Sequence, residues 1–162
     1  MTRLSTATKR KLARIRKRHE RISSTRTYPV ISPNFRFDAS IRIGGAGSYH
    51  ESIFLATGLT PSTSYLAGDK VSPRSSKVRK EDLWILASPL SGNLPIDEHI
   101  DWLLDAVSPH EAFLRQILEK AVWADLCLGC LTDSPYPMIV TDRSTRLLKM
   151  FNLSLSFNFT HR

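Results

Sequence analysis

Between Phe35 and Ile43 the chain alternates without a break. Phe35, Phe37, Ala39, Ile41 and Ile43 fall on one side, and Arg36, Asp38, Ser40 and Arg42 on the other. A period of two over this length predicts a β-strand with one wet face. The pattern returns near the C-terminus, where Leu153, Leu155, Phe157 and Phe159 alternate with Ser154, Ser156, Asn158 and Thr160. Leu83-Trp84-Ile85-Leu86-Ala87 is apolar on both faces and predicts a more central strand. Residues 122–131 and 138–140 supply two further extended runs.

Helical periodicity fills the intervals. Ile96, Ile100, Leu103, Leu104 and Val107 form one stripe, with Asp97, Asp101 and Asp105 along the opposite side. Phe113, Leu114, Ile117 and Leu118 mark a second helix, Leu147, Leu148 and Phe151 a third, and Ile53, Phe54 and Leu55 a short one before Gly58. Ser48 with Glu51 and Ser108 with Glu111 match the capping box, in which each end of the motif satisfies an orphan N–H of the other. Asp142 is a candidate cap for the last helix, and Gly58 a natural stop. Residues 59–82 are polar and irregular. The predicted order is βαβααββαβ. Two strands with wet faces argue against helices on both sides of the sheet. The expected fold class is therefore α+β: a single domain with helices packed on one face of a mixed, largely antiparallel sheet.

Charge divides the chain unevenly. Its 162 residues carry a formal +8. Residues 1–27 hold ten Lys/Arg against one acid, Glu20, and so carry +9; residues 28–162 hold 13 Lys/Arg and 14 Asp/Glu, and so carry −1. We expect residues 1–34 to form a basic, disordered arm and linker, and residues 35–162 the α+β domain. The candidate nucleic-acid residues of the arm are Lys9, Arg10, Lys11, Arg14, Arg16, Lys17, Arg18 and Arg21. Three readings stay open for it: a solvated extension, a nucleic-acid- or ribosome-contacting arm that displaces counterions from phosphates, or attachment to an anionic membrane. Against the last stand the dense Lys/Arg block and its weak amphipathicity. No apolar segment of a secretory signal follows the basic residues. No run approaches the ~18 apolar residues of a membrane span. Only two cysteines occur, Cys127 and Cys130, so no disulfide is expected and a reducing cytoplasm is the default.

One series of residues carries a resemblance. Gly58-Leu-Thr-Pro-Ser62, Tyr65 to Gly68-Asp69, Trp84-Ile-Leu-Ala-Ser88 and Leu94-Pro-Ile-Asp-Glu-His-Ile100 follow one another in order. The series resembles the bacterial family called domain of unknown function 4279, over about residues 35–160. The resemblance implies a small cytoplasmic α+β domain and assigns no catalytic residue. The chain departs from the family pattern at Gly44-Gly45-Ala46-Gly47, where the family has an acidic loop, and in its basic arm.

The residues that bear chemistry do not converge. Cys127 and Cys130 lie three apart, so on a strand they face opposite sides, and no second pair completes a zinc site. We read them as buried thiols. Gly44 to Gly47 before a helix offers N–H groups to an anion, but matches no phosphate-binding motif and reads better as a turn. Asp97, Asp101 and Asp105 read as a solvated face, and His99 and His110 as surface or cap residues. No nucleophile elbow is present. We therefore expect no catalytic set, no metal site and no cofactor. The candidate ligand or partner face is the polar side of the sheet: Arg36 and Arg42, then Ser154, Ser156 and Asn158, joined by Trp84 or Trp123 according to the strand pairing. The leading expectation is a non-enzymatic interaction protein docking on one protein partner, with an immunity- or accessory-type protein as a specific case. A nucleic-acid- or ribosome-associated protein acting through residues 1–27 is the alternative. A small-ligand binder or enzyme using the polar sheet face is the weaker one.

Overall fold

The alternation from Arg36 to Gly44 forms the first strand, β1, and the chain builds outward from it on both sides. The computed structural model describes residues 35–133 and 138–161. β1 pairs antiparallel with β3 (Leu83–Ala87) on one side and with β4 (Trp123–Thr132) on the other. A short strand, β2 (Thr63–Tyr65), pairs antiparallel with β3 at one edge. β5 (Ser154–His161) runs parallel to β4 at the other. The order across the sheet is β2-β3-β1-β4-β5. β4 and β5 can lie parallel because a helix, α4 (Asp142–Phe151), carries the chain back between them.

Four α-helices occur among the described residues: α1 (His50–Thr57), α2 (Ile96–Val107), α3 (Glu111–Leu118) and α4. Each sends its apolar side into one cluster. Ile53, Ile100, Leu103, Val107, Leu114, Ile117, Leu147 and Phe151 pack with Ala39, Ile41, Ile43, Trp84, Leu86, Leu126 and Leu128 of the sheet. The register puts these strand residues on a single face, since Ile41 faces both Leu86 and Leu126. The result is an α+β domain with its four described helices on one side of a mixed sheet, in the order βαββααβαβ.

The strand count matches the expectation, but one short strand lies elsewhere. Residues 138–140 are not extended into the sheet; Ile139 and Val140 are exposed and precede the cap of α4. Three apolar residues are too few for periodicity to tell a strand from a connector. β2 instead comes from the polar stretch. An edge strand of three residues needs only backbone partners, and Ser62 extends them: its hydroxyl donates to the Ile85 carbonyl and accepts from the Ala87 N–H.

The helix ends also differ from their local signals. A 3₁₀ turn, Gly47–Tyr49, precedes α1, and neither Ser48 nor Glu51 closes a capping box. Ser108 ends α2 instead of opening α3, and its hydroxyl donates to the Leu104 carbonyl at 2.6 Å. The cap of α4 is Thr141, not Asp142; its hydroxyl oxygen accepts the Ser144 N–H. Gly58 stops α1 as expected, with the left-handed backbone (φ 71°) that glycine adopts at least cost.

The aspartate row of α2 is a docking edge as well as a polar face. Thr141 Oγ1 donates to Asp97 at 2.8 Å, and Arg143 pairs with Asp101 at 2.7 Å. The acids therefore hold the N-terminal end of α4 against α2, a placement that the sequence spacing alone reads as solvated.

Candidate functional site

The side of the sheet opposite the helices gathers the polar positions of all the long strands. Arg36, Asp38, Ser40 and Arg42 project from β1, Trp123, Asp125 and Cys127 from β4, and Ser154, Ser156 and Asn158 from β5. Strand alternation and register alone bring Arg42 opposite Asp125, and Asp125 opposite Ser154.

Arg42 is the centre of this face. Its Nε donates to Asp125 Oδ1 at 2.8 Å, and its Nη2 donates to Asp125 Oδ2 and, at 3.0 Å, to Ser156 Oγ. This is a two-pronged guanidinium–carboxylate pair, the geometry in which a planar fork meets two oxygens at once. Asp125's hydrogen bonds hold the Arg42 guanidinium above its ordinary value, against the opposing effect of burial. The guanidinium also lies 5.8 Å from the centre of the Trp123 ring, and Trp123 Nε1 donates to Glu81 at 3.0 Å. Charge on this face is thus engaged within the chain at its centre. Arg36 and Asp38 stand exposed to one side of it.

Of the residues expected here, Arg36, Arg42, Ser154, Ser156 and Asn158 share the face, and Arg42 and Ser156 are in direct contact. Trp84 does not belong. It lies on the helix-covered face of β3, 1% exposed, because Ile43 is its partner on β1 and residues of like parity share a side. Trp123 occupies the place instead. The arm residues Lys9, Arg10, Lys11, Arg14, Arg16, Lys17, Arg18 and Arg21 lie outside the described residues.

Two features escaped the sequence reading. The first is Asp82. Its carboxylate accepts N–H bonds from Gly47 (3.1 Å) and Ala67 (2.6 Å), so the glycine turn after β1 receives an anion supplied by the chain itself. The Ala67 bond is the main cause of its lowered carboxyl pKa, with the Gly47 bond and His50 adding to it. The second is His99, expected near the surface but 1% exposed at the start of α2. Its Nδ1 lies 3.2 Å from Ser88 Oγ, and its Nε2 has no hydrogen-bond partner among the described residues. Burial pushes the ring below the ordinary histidine value. The Asp38 carboxylate, the carbonyls of Ser91 and Leu94, and Glu98 oppose that shift without cancelling it. His50, half-buried, is lowered in the same way against the pull of Asp82. The cysteines occupy opposite faces, Cys127 beside Arg42's strand partners and Cys130 toward the helices, and both thiols are free and buried. Burial, with Asp38 adding to it, pushes the Cys130 thiol up. Among the described residues no group of three or more His, Cys, Asp or Glu is placed to hold a metal ion.

Two measurements check this geometry. Asp125→Asn leaves a partly buried guanidinium without its counter-charge. The expected cost in urea denaturation is about 2 kcal/mol, between an exposed pair and a fully buried one. Pairing it with Arg42→Met in a double-mutant cycle should return a clear coupling, and additive effects would show the pair to be inert. The histidines set an acid limb. Below pH ~6.5 the unfolded chain binds protons that folded His99 and His50 resist, so stability falls as pH falls from 7 toward 5. His99→Gln should flatten that slope; an unchanged slope would exclude His99 as its source.

The chain matches the family model for the domain of unknown function (DUF4279) over residues 35–161. No curated protein and no solved structure matches the chain. No helix among the described residues is long and apolar enough to cross a membrane. The matched span takes in every described strand and helix, from β1 to β5, including the whole Arg42–Asp125–Ser156 face. The chain therefore belongs to the DUF4279 family, whose description assigns no function.

Proposed function

We propose that the protein is a non-catalytic interaction protein of the cytoplasm that docks a protein partner on the face of its sheet opposite α1–α4. One observation carries this reading. Arg42 is neutralised within the chain by Asp125 and held by Ser156, while Arg36 and Asp38 of opposite charge stand exposed on the same strand. A face of this kind offers extended, mixed-charge complementarity, which suits a protein surface. An anionic small molecule would be better served by a free cation in a concave site. The small-ligand or enzymatic use of the face loses Trp84 to the core and Arg42's charge to Asp125. Free, buried cysteines on opposite sides of the sheet support a reducing compartment. An immunity- or accessory-type role is the specific form of this proposal.

The test is quantitative affinity capture from the cells of origin. Full-length wild type is compared with Arg36→Glu and Ile85→Arg, both on the face opposite α1–α4, and with Arg115→Ala on α3 as control. We expect the face variants to lose the principal partner by at least about tenfold, the loss of one modest hot spot. Equal capture by all four would overturn the reading.

The segregation of charge favours a second reading, nucleic-acid association through residues 1–27, which carry +9 against −1 for the rest. Its test is fluorescence anisotropy with labelled RNA and DNA over a salt series. The wild type is compared with a full chain whose eight candidate Lys/Arg from Lys9 to Arg21 are Gln. The arm reading expects binding by wild type alone, with log affinity falling steeply with log salt. Absence of binding at low salt excludes it.

A further inference from the structure

We propose that β5 is a dimerisation edge: two copies pair their β5 strands antiparallel about a two-fold axis at Phe157, joining their sheets into one. β5 is eight residues long, and among the described residues it borders β4 on one side and no strand on the other. Its outer row of backbone N–H and C=O groups is a template for another strand. Edge strands are normally blunted by Lys, Pro, inward charges or brevity. The opposite edge is blunted by brevity, since β2 has only three residues. β5 carries none of these devices. Its sequence, Ser-Leu-Ser-Phe-Asn-Phe-Thr-His, holds no Lys, Arg, Asp, Glu or Pro. It also exposes two large aromatics, Phe157 (44%) and Phe159 (54%), whose rings stack at 6.2 Å.

The strand's own pattern selects a second copy as the occupant. An antiparallel pair centred on Phe157 sets Phe157 against Phe157 of the other copy and Leu155 against Phe159. It sets Ser156 against Asn158, and Ser154 against Thr160. From Ser154 to Thr160 every apolar residue meets an apolar one and every polar residue a polar one, and the first mismatch, His161 against Leu153, falls outside that span. Moving the axis to Asn158 would set Leu155 against His161. With no ionised side chain on the strand, like-charge repulsion across the axis is absent, and an isologous two-fold contact is self-complementary by construction. One strand pair makes a small interface, so the dimer belongs at the weak end of specific association. This contact uses the sheet's edge and the helix-side aromatics, and does not depend on the partner face proposed above.

Sedimentation velocity of the full chain over a rising concentration series tests it. The weight-average mass should climb from 18.3 kDa toward twice that value. Phe157→Lys and Phe157→Glu should each stay monomeric, with unchanged circular dichroism. Mixing the two in equal amounts should restore the dimer, because Lys and Glu then meet across the axis. Hydrogen exchange of the wild type supplies a reading that needs no variant: β5 amides should gain protection as concentration rises. A wild-type chain that stays at 18.3 kDa throughout overturns the proposal and leaves the edge to a strand from another protein. A dimer indifferent to Phe157→Lys, a mixture of folded variants that stays monomeric, or β5 amides whose protection ignores concentration overturns it equally.

Discussion

β1 is hydrogen-bonded on both sides along most of its length, to β3 from Ser40 to Gly44 and to β4 from Arg36 to Gly44. A strand held this way has no freedom to slip, because a shift of one residue would invert both of its faces. Everything else follows from which residue stands at which parity. Ala39, Ile41 and Ile43 point to the helices and found the core; Ser40 and Arg42 point away and found the polar face. Arg42 on such a strand needs a counter-charge on an adjacent one, and Asp125 is its register partner on β4. The ion pair and the hydrophobic core are two consequences of one alternation.

The glycine turn after β1 shows the same economy at a smaller scale. Gly44 lies where an added Cβ would collide with the Trp123 ring, and Gly45 has the left-handed φ of 73°. Gly47 approaches Asp82 closely enough to donate its N–H to that carboxylate. The turn therefore brings the end of β1 beneath Trp123, the residue that stacks toward Arg42. A loop that offers N–H groups to a bound anion in other settings is here satisfied by a neighbouring side chain, and its role is structural. The aspartates of α2 behave alike, since Asp97 and Asp101 spend their charge on Thr141 and Arg143.

Legibility followed length and repetition. The long alternating strands and the α2 stripe stood out because many residues repeat one period, and a wrong register would misplace all of them. The single-residue signals fared worse. Ser108 carries a valid capping pattern, yet its hydroxyl turns back to Leu104, since α2 and α3 are joined by a 3₁₀ turn that uses Ser108 as the end of the earlier helix. β2 has too few residues to express a pattern at all. His99 looked like a surface residue from its polar type and its place near a helix start, while its burial depends on how α2 lies against Ser88 and the sheet.

The sequence by itself determined the fold class, the alternation of β1 that turns its apolar side to the described helices, the separation of Cys127 from Cys130 across the sheet, and the segregation of charge into residues 1–27. Each is set by periodicity or composition, which are properties of neighbours along the chain. Only the tertiary structure decided that Trp123 and not Trp84 joins the polar face, that Arg42 is matched by Asp125, and that β5 lies at an edge with Phe157 and Phe159 exposed. Those outcomes depend on strand order and register, which pair residues tens of positions apart. The energy that selects them comes from packing and charge matching between elements, and no local window of sequence contains it.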